Sequence, residues 1–204
     1  MTESDHTAAH PAPSGPVQPE RPRYAKALPS PIRRMLFGYD LGDFWQTRRA
    51  CTRSRSRVAK VLALLRYRRI CDHFTCSVPL AAVIPESTVF PHGLYGVFIS
   101  SGATLGEECI IFHQTTIGSN TLAGTKRPGA PTLGRGVLLG AGAKVIGGVA
   151  VGANARIGAN CVVVDDVPAG ATVVLPQPRV IPADPDRAAT EFRTWGAFEA
   201  DAPD

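Results

Sequence analysis

From Ile99 to Val163 an aliphatic residue recurs at every sixth position: Ile99, Leu105, Ile111, Ile117, Leu133, Leu139, Val145, Val151, Ile157 and Val163. The register breaks once, where sixteen residues separate Ile117 from Leu133 instead of six. Outside that insertion, the residue four places after each beat is small or β-branched: Ala103, Cys109, Thr115, Val137, Ala143, Val149, Ala155, Cys161 and Val167. A period of six matches neither the 3.6 of a helix nor the 2 of an ordinary strand. It is the period of a parallel β-helix of hexapeptide repeats, an all-β fold in which three short strands make one triangular turn and the beat residues stack inside. Gly follows the beat at Gly106, Gly118, Gly134, Gly140, Gly152 and Gly158, where the backbone must turn a corner.

The repeat starts before its regular part. Val78, Ile84 and Phe90 already keep the six-step, and nine residues then separate Phe90 from Ile99. That lengthened stretch holds His92-Gly93-Leu94-Tyr95-Gly96, so a histidine sits where the coil is distorted. Roughly five coils are expected. After Val167 the pattern fades through Pro168, Pro176, Pro178 and Pro182, which sets the repeat domain at 77–182. The acidic stretch 183–204 carries one apolar cluster, Phe192, Trp195 and Phe198, expected as a short helix packing on the body.

Ahead of the repeat, 31–76 turns helical, with Val58, Val61, Leu62, Leu65 and Arg69 at three- and four-residue steps. Nine basic residues and no acidic one lie between Arg48 and Arg69, which outweighs the net charge of +5 for the whole chain. This segment reads as a solvated helix face, or as a surface for an acidic partner or an anionic membrane. Nucleic acid is not expected, because no recognised binding motif accompanies the charge. The first stretch, 1–30, is rich in Pro, Ala, Ser, Thr and His and reads as a disordered tail without the charged-then-apolar layout of a secretory signal.

A length of 204 residues fits one compact domain with attachments, and 44% hydrophobic content suits a soluble protein. No apolar stretch approaches the roughly 18 residues that span a bilayer. Five cysteines without a C-x-x-C pair argue against a disulfide framework or a metal site, and Cys109 and Cys161 fall in the small inward slot. A reducing cytoplasm is the expected compartment.

Three histidines lie outside the first stretch: His73, His92 and His113. His73 ends the helical segment. His92, in the irregular coil, is the candidate general base, since imidazole can take a proton from a hydroxyl near neutral pH. His113 occupies the third place of a hexad, pointing to a corner or the outer surface, and is a possible secondary site residue. The inserted loop Ser119 to Thr132 carries Lys126 and Arg127 and is a natural wall for a ligand groove. Lys126, Arg127, Lys144 and Arg156 would neutralise phosphates at one end of an extended ligand, while small residues at Gly140-Ala141-Gly142-Ala143 and Gly158-Ala159 let it lie against backbone amides. The amides around the Gly96 turn are candidate donors for an oxyanion.

Three strings carry a resemblance: Phe90-Pro91-His92-Gly93-Leu94-Tyr95-Gly96-Val97-Phe98-Ile99-Ser100, then Ile111-Phe112-His113-Gln114-Thr115-Thr116-Ile117-Gly118, then Leu139-Gly140-Ala141-Gly142-Ala143-Lys144-Val145-Ile146-Gly147. Over Val78 to Val167 the chain resembles the hexapeptide acyltransferases, most of all the serine acetyltransferases and their polysaccharide O-acetyltransferase relatives. The resemblance implies a homotrimer of left-handed β-helices that binds acetyl-CoA in the groove between neighbouring subunits, with no metal. It assigns His92 as the catalytic histidine and matches Ala141 and Ala159 to positions whose backbone lines the acetyl-CoA groove; Gly118 and the four cations above are further candidates for that groove. The implied reaction is acetyl transfer to the hydroxyl of L-serine, as in cysteine biosynthesis, with a sugar hydroxyl as the alternative acceptor and a non-catalytic scaffold as the lesser one. Two departures stand out. A gapless count puts Ser77 where the family holds an aspartate that orients the histidine, and Ala130 stands where it holds a second histidine.

Overall fold

The computed structural model describes residues 38–182. The expected tail at 1–30, the start of the helical segment and the acidic stretch 183–204 lie outside the described residues. Within the described residues the helical segment forms two helices, α1 (Leu41–Arg53) and α2 (Arg57–His73), which pack against each other. Asp40 caps α1: its carboxylate accepts from the Asp43 amide at 2.7 Å while Asp43 reaches back to the Asp40 amide, a reciprocal capping box. Ser56 caps α2, and only Ser54-Arg55-Ser56 separate the helices, so the pair forms a tight hairpin.

The periodicity marks α2 as a helix, but the structure buries a different face from the one it picks out. Ala63, Tyr67, Ile70 and Cys71 turn inward, and Val58, Val61, Leu62 and Leu65 turn outward. Arg48, which looks like part of a solvated basic run, is buried. Its guanidinium donates to the carbonyls of Pro79, Leu80 and Ala82 and to the Tyr67 hydroxyl, and the Tyr67 hydroxyl in turn donates to the Val78 carbonyl. That network clamps the hairpin onto the first coil.

The rest is the parallel β-helix. Among the described residues, eleven strands of two or three residues wind in sequence: β1 (Phe98–Ile99), β2 (Thr104–Leu105), β3 (Ile110–Ile111), β4 (Thr116–Gly118), β5 (Thr132–Leu133), β6 (Leu138–Leu139), β7 (Lys144–Ile146), β8 (Ala150–Val151), β9 (Arg156–Ile157), β10 (Val162–Val163) and β11 (Thr172–Val173). They form three parallel sheets, β1-β4-β7-β10, β2-β5-β8 and β3-β6-β9-β11. We call these the first, second and third faces of the prism. Single bridges at Ser77, Val83 and Val89 extend each face one level further, into the coil that precedes β1.

Register explains the pattern. Phe98 pairs with Thr116 and Lys144 with Val162, so a regular coil takes eighteen residues, three hexads. Thr116 pairs with Lys144 across the insertion, ten residues more. Ser77 pairs with Phe98, three more than eighteen, and those three are supplied by the His92-Gly93-Leu94 stretch. Every beat residue from Ile99 to Val163 is at most 5% exposed, and the nine small slots are buried with them. Each such Ile, Leu or Val contributes about 1.5–3 kcal/mol through burial, which is why the beat admits nothing polar.

Candidate active site

The chain turns from the third face to the first at one corner, and that corner repeats up the prism. The amide of Gln114 donates to the Tyr95 carbonyl (2.8 Å), that of Gly142 to the His113 carbonyl (3.0 Å), and that of Asn160 to the Ala141 carbonyl (2.9 Å). Tyr95, His113, Ala141 and Ala159 therefore stack in one column, one residue per coil. The next residue along, Gly96, Gln114, Gly142 and Asn160, adopts a left-handed backbone in every coil, with φ of 66°, 58°, 71° and 58°. At Gly142 an added Cβ would lie 2.1 Å from the Asn160 side-chain oxygen, so a larger residue there would have to displace that side chain.

The three extra residues of the first coil fall at this same corner and lift His92 over the column. Its Nδ1 lies 2.9 Å from Nδ1 of His113, and its ring meets Phe112 edge to face at 5.3 Å. His92 is exposed and His113 half-buried. One Nδ1 must carry the proton and the other accept it. That contact fixes the His92 ring and leaves its Nε2 for another partner. Ser77, the sequence counterpart of an orienting aspartate, instead pairs with Phe98 through its backbone. The side chain that orients His92 is His113.

This partnership is written in the sequence only as a distance. His113 follows His92 by twenty-one residues, which is one eighteen-residue coil plus the three inserted. Counting coils with the insertion included would have paired them, whereas the hexad position alone places His113 at a corner without a partner.

The other predicted residues divide by location. Lys144 begins β7 beside the same corner, and its ammonium donates to the Gly142 carbonyl at 2.9 Å. Arg156 is exposed on the third face, in β9. Gly118, Lys126 and Arg127 lie at the corner between the first and second faces, at the other edge of the first face from His92. There the inserted loop is tied down by Asn120 and Gly129, which exchange backbone hydrogen bonds, and by the Gly148 amide donating to the Arg127 carbonyl. Arg127 already has a partner: its guanidinium meets the Asp166 carboxylate at 2.5 Å, with Asp165 at 3.8 Å. Asp166, also accepting from the Ala150 amide, is held below the usual carboxylate range by that amide first and by Arg127 second. Arg127 thus serves the loop's own attachment, and Lys126 is the exposed cation of the loop.

Two of the amides considered for an oxyanion are already engaged. The Gly96 amide donates to the Phe74 carbonyl and the Val97 amide to that of Leu94, so both are committed to holding the turn. Cys109 and Cys161 are buried, their thiols directed at the Gly134 and Val173 carbonyls, and burial pushes the Cys109 thiol up. Neither is a nucleophile.

Comparison with known proteins bears on the fold. Residues 130–165 match the family model for the bacterial transferase hexapeptide (six repeats). Over 85 residues the chain is 40% identical to a probable serine acetyltransferase 5 of Oryza sativa subsp. japonica, covering 42% of this chain and 24% of that protein. The crystal structure of Neisseria gonorrhoeae serine acetyltransferase in complex with serine is 33% identical, with a TM-score of 0.53, over 70% of this chain and 55% of that one. A serine acetyltransferase complex with CoA is 30% identical, with a TM-score of 0.50, over 64% and 50% of the two chains. The chain thus spans about a quarter of the length of the curated relative and about half that of the structures. The fold is a left-handed parallel β-helix. The similarity is to the serine acetyltransferases.

Proposed function

We propose that this protein is an acetyl-CoA-dependent serine O-acetyltransferase with His92 as its general base. The observation that carries the reading is the 2.9 Å Nδ1–Nδ1 contact, which holds His92 over the corner column with no partner at Nε2 among the described residues. Nε2 takes the proton from the serine hydroxyl as its oxygen attacks the thioester carbonyl. The tetrahedral intermediate collapses by breaking the carbon–sulfur bond, and the departing thiolate recovers the proton from His92. Free Nε2, an exposed ring and a half-buried partner are the features such a base needs. Similarity to proteins solved with serine and with CoA supports the acceptor and the donor, and favours serine over a sugar hydroxyl.

The assembly we propose is a homotrimer. His92, His113, Ala141 and Ala159 stand at one edge of the first face, and Lys126 stands at the other. A groove that uses both is completed when the loop of one subunit meets the His92 corner of its neighbour. Ala141 and Ala159 would then line the groove through their backbone, with Gly118 and Lys126 on the opposing wall and Lys144 and Arg156 contributing charge. A reducing, cytoplasmic setting fits the five free thiols, four of them buried. Among the described residues, no helix is long and apolar enough to cross a membrane.

The deciding experiment is steady-state acetyl transfer from acetyl-CoA to L-serine by the purified chain, compared with sugars and nucleotide sugars at the same concentrations. Saturable turnover of serine supports the reading. Turnover confined to a sugar acceptor overturns it.

A further inference from the structure

Helix α2 carries two apolar stripes. The inner one, Ala63, Tyr67, Ile70 and Cys71, is buried. The outer one, Val58, Val61, Leu62 and Leu65, is 71%, 55%, 60% and 61% exposed. At about 100° per residue the two stripes lie on opposite sides of the helix. The first two turns, 57–62, are exposed all round, so the tip of the hairpin stands clear of the body. An aliphatic stripe at i, i+3, i+4 and i+7 is the pattern a helix uses to meet an apolar phase, and here nothing among the described residues meets it.

The charges around this stripe that lack an opposite partner among the described residues are of one sign. Of the nine basic residues from Arg48 to Arg69, Arg48 is buried in the clamp, Arg49 pairs with Glu86, Arg66 with Asp43 and Arg68 with Asp72. Arg53, Arg55, Arg57, Lys60 and Arg69 have no carboxylate partner among the described residues, and the first four cluster at the hairpin tip beside Val58, Val61 and Leu62. Seating two copies of this tip on each other would set these cations against their own kind with no intervening carboxylate. The stripe is also purely aliphatic, without the Tyr or Trp anchors that protein interfaces favour. Basic side chains whose stems run beside an aliphatic stripe match a surface that is apolar within and negative at its face.

We infer that the α1–α2 hairpin tip docks on anionic lipid bilayers, with Val58, Val61, Leu62 and Leu65 entering the acyl boundary and Arg53, Arg55, Arg57 and Lys60 contacting acidic headgroups. The inference is independent of the acetyl-transfer reading, because neither stripe nor cations belong to the His92 corner.

Co-sedimentation of the full chain with vesicles tests it. Binding is expected to vesicles of phosphatidylcholine mixed with phosphatidylserine, to be weak on phosphatidylcholine alone, and to fall as salt is raised. Arg57→Glu/Lys60→Glu is expected to weaken binding by more than about tenfold. These substitutions touch no buried side chain and place acidic groups at a helix N-terminus, where they favour the helix. Leu62→Ser/Leu65→Ser is expected to reduce binding with unchanged helix content and unchanged mass by light scattering. Absence of binding to the anionic vesicles overturns the proposal, as does binding that either variant leaves intact. A lower assembly mass for Leu62→Ser/Leu65→Ser also overturns it, by assigning the stripe to a subunit interface. Retention by an acidic protein but not by anionic vesicles assigns the surface to a protein partner instead.

Discussion

His92 and His113 come from successive coils and meet through their Nδ1 atoms at 2.9 Å. A carboxylate in the partner position would give the imidazole an acceptor at any pH where it is ionised. A second imidazole gives one only while the pair holds no more than one proton on the two facing nitrogens. The pair is therefore both an orienting contact and a condition on protonation.

Removing His92 removes the proposed base, and His92→Ala should cost about 10²–10⁴-fold in kcat with affinity for CoA retained. His113→Ala should cost less, because it frees the ring without removing Nε2. His113→Asn, which can still hydrogen-bond to Nδ1, should recover part of that loss, a recovery that a merely space-filling role would not produce. Steady-state kinetics of the three variants check this. A dead His113→Ala beside an active His92→Ala would exchange the two roles.

The inserted loop and His92 stand at opposite edges of the first face, and this makes a prediction about mixed assemblies. Deleting ten residues from the loop should leave the coil folded, since Leu133 resumes the beat and β5 pairs with β2 and β8 in normal register. It should weaken CoA binding, because Lys126 and one wall of the proposed groove are lost. Each of the loop-deleted and His92→Ala chains should be poorly active alone, yet co-refolded mixtures should regain activity when an intact loop meets an intact His92. Activity no higher than the sum of the separate chains would assign loop and histidine to the same subunit, or to no common site.

Most of the fold was legible because each hexad must return the same two positions to the prism interior, the larger of which, at Ile111, Ile117, Leu139 and Val145, is completely buried. The constraint is local and repeats, so the period exposes it. The His92 corner was half legible: the extra three residues mark where the coil departs from ideal, but pairing with His113 depends on coil length, not on local pattern. The face of α2 was not legible. A helix with two apolar stripes offers periodicity no means to choose, and the choice falls to the Arg48–Tyr67 clamp, which links residues 19 apart. The Gly96 amide likewise looked available until its acceptor, Phe74, was seen to come from the end of the helical hairpin.

Acid should loosen the loop before it unfolds the coil. Asp166 is held below the usual carboxylate range, chiefly by the Ala150 amide and then by Arg127. A carboxylate whose folded value is depressed contributes its full stabilisation above the ordinary range and loses it as pH falls through the depressed value. Both groups are solvent-exposed, so the effect is confined to the attachment of the loop. Amide exchange at Gly148, corrected for its intrinsic pH dependence, should lose protection in that acid window while the beat residues keep theirs. Asp166→Asn should show the weaker protection already at neutral pH and remove the acid step. An acid step that survives in Asp166→Asn would assign it to another group.

Arg48 should matter far more to stability than its place in a basic run suggests. Its guanidinium is buried and serves four oxygens, those of Pro79, Leu80, Ala82 and Tyr67, and it binds the hairpin to the coil that carries His92. Arg48→Ala leaves buried carbonyls without a donor and should cost about 2–4 kcal/mol in urea unfolding. Arg48→Lys keeps a charge but cannot span the same acceptors with its single ammonium, and should fall between the two. Arg49, one residue on, pairs with Glu86 in the open, and Arg49→Ala should cost less than about 1 kcal/mol. Because the Phe74 carbonyl at the end of α2 holds the Gly96 amide, loosening the hairpin should also let the His92 turn drift, lowering kcat in Arg48→Ala without a matching change in CoA affinity. Equal unfolding free energies for the Arg48→Ala and Arg49→Ala chains would show that the clamp contributes no more than an exposed pair.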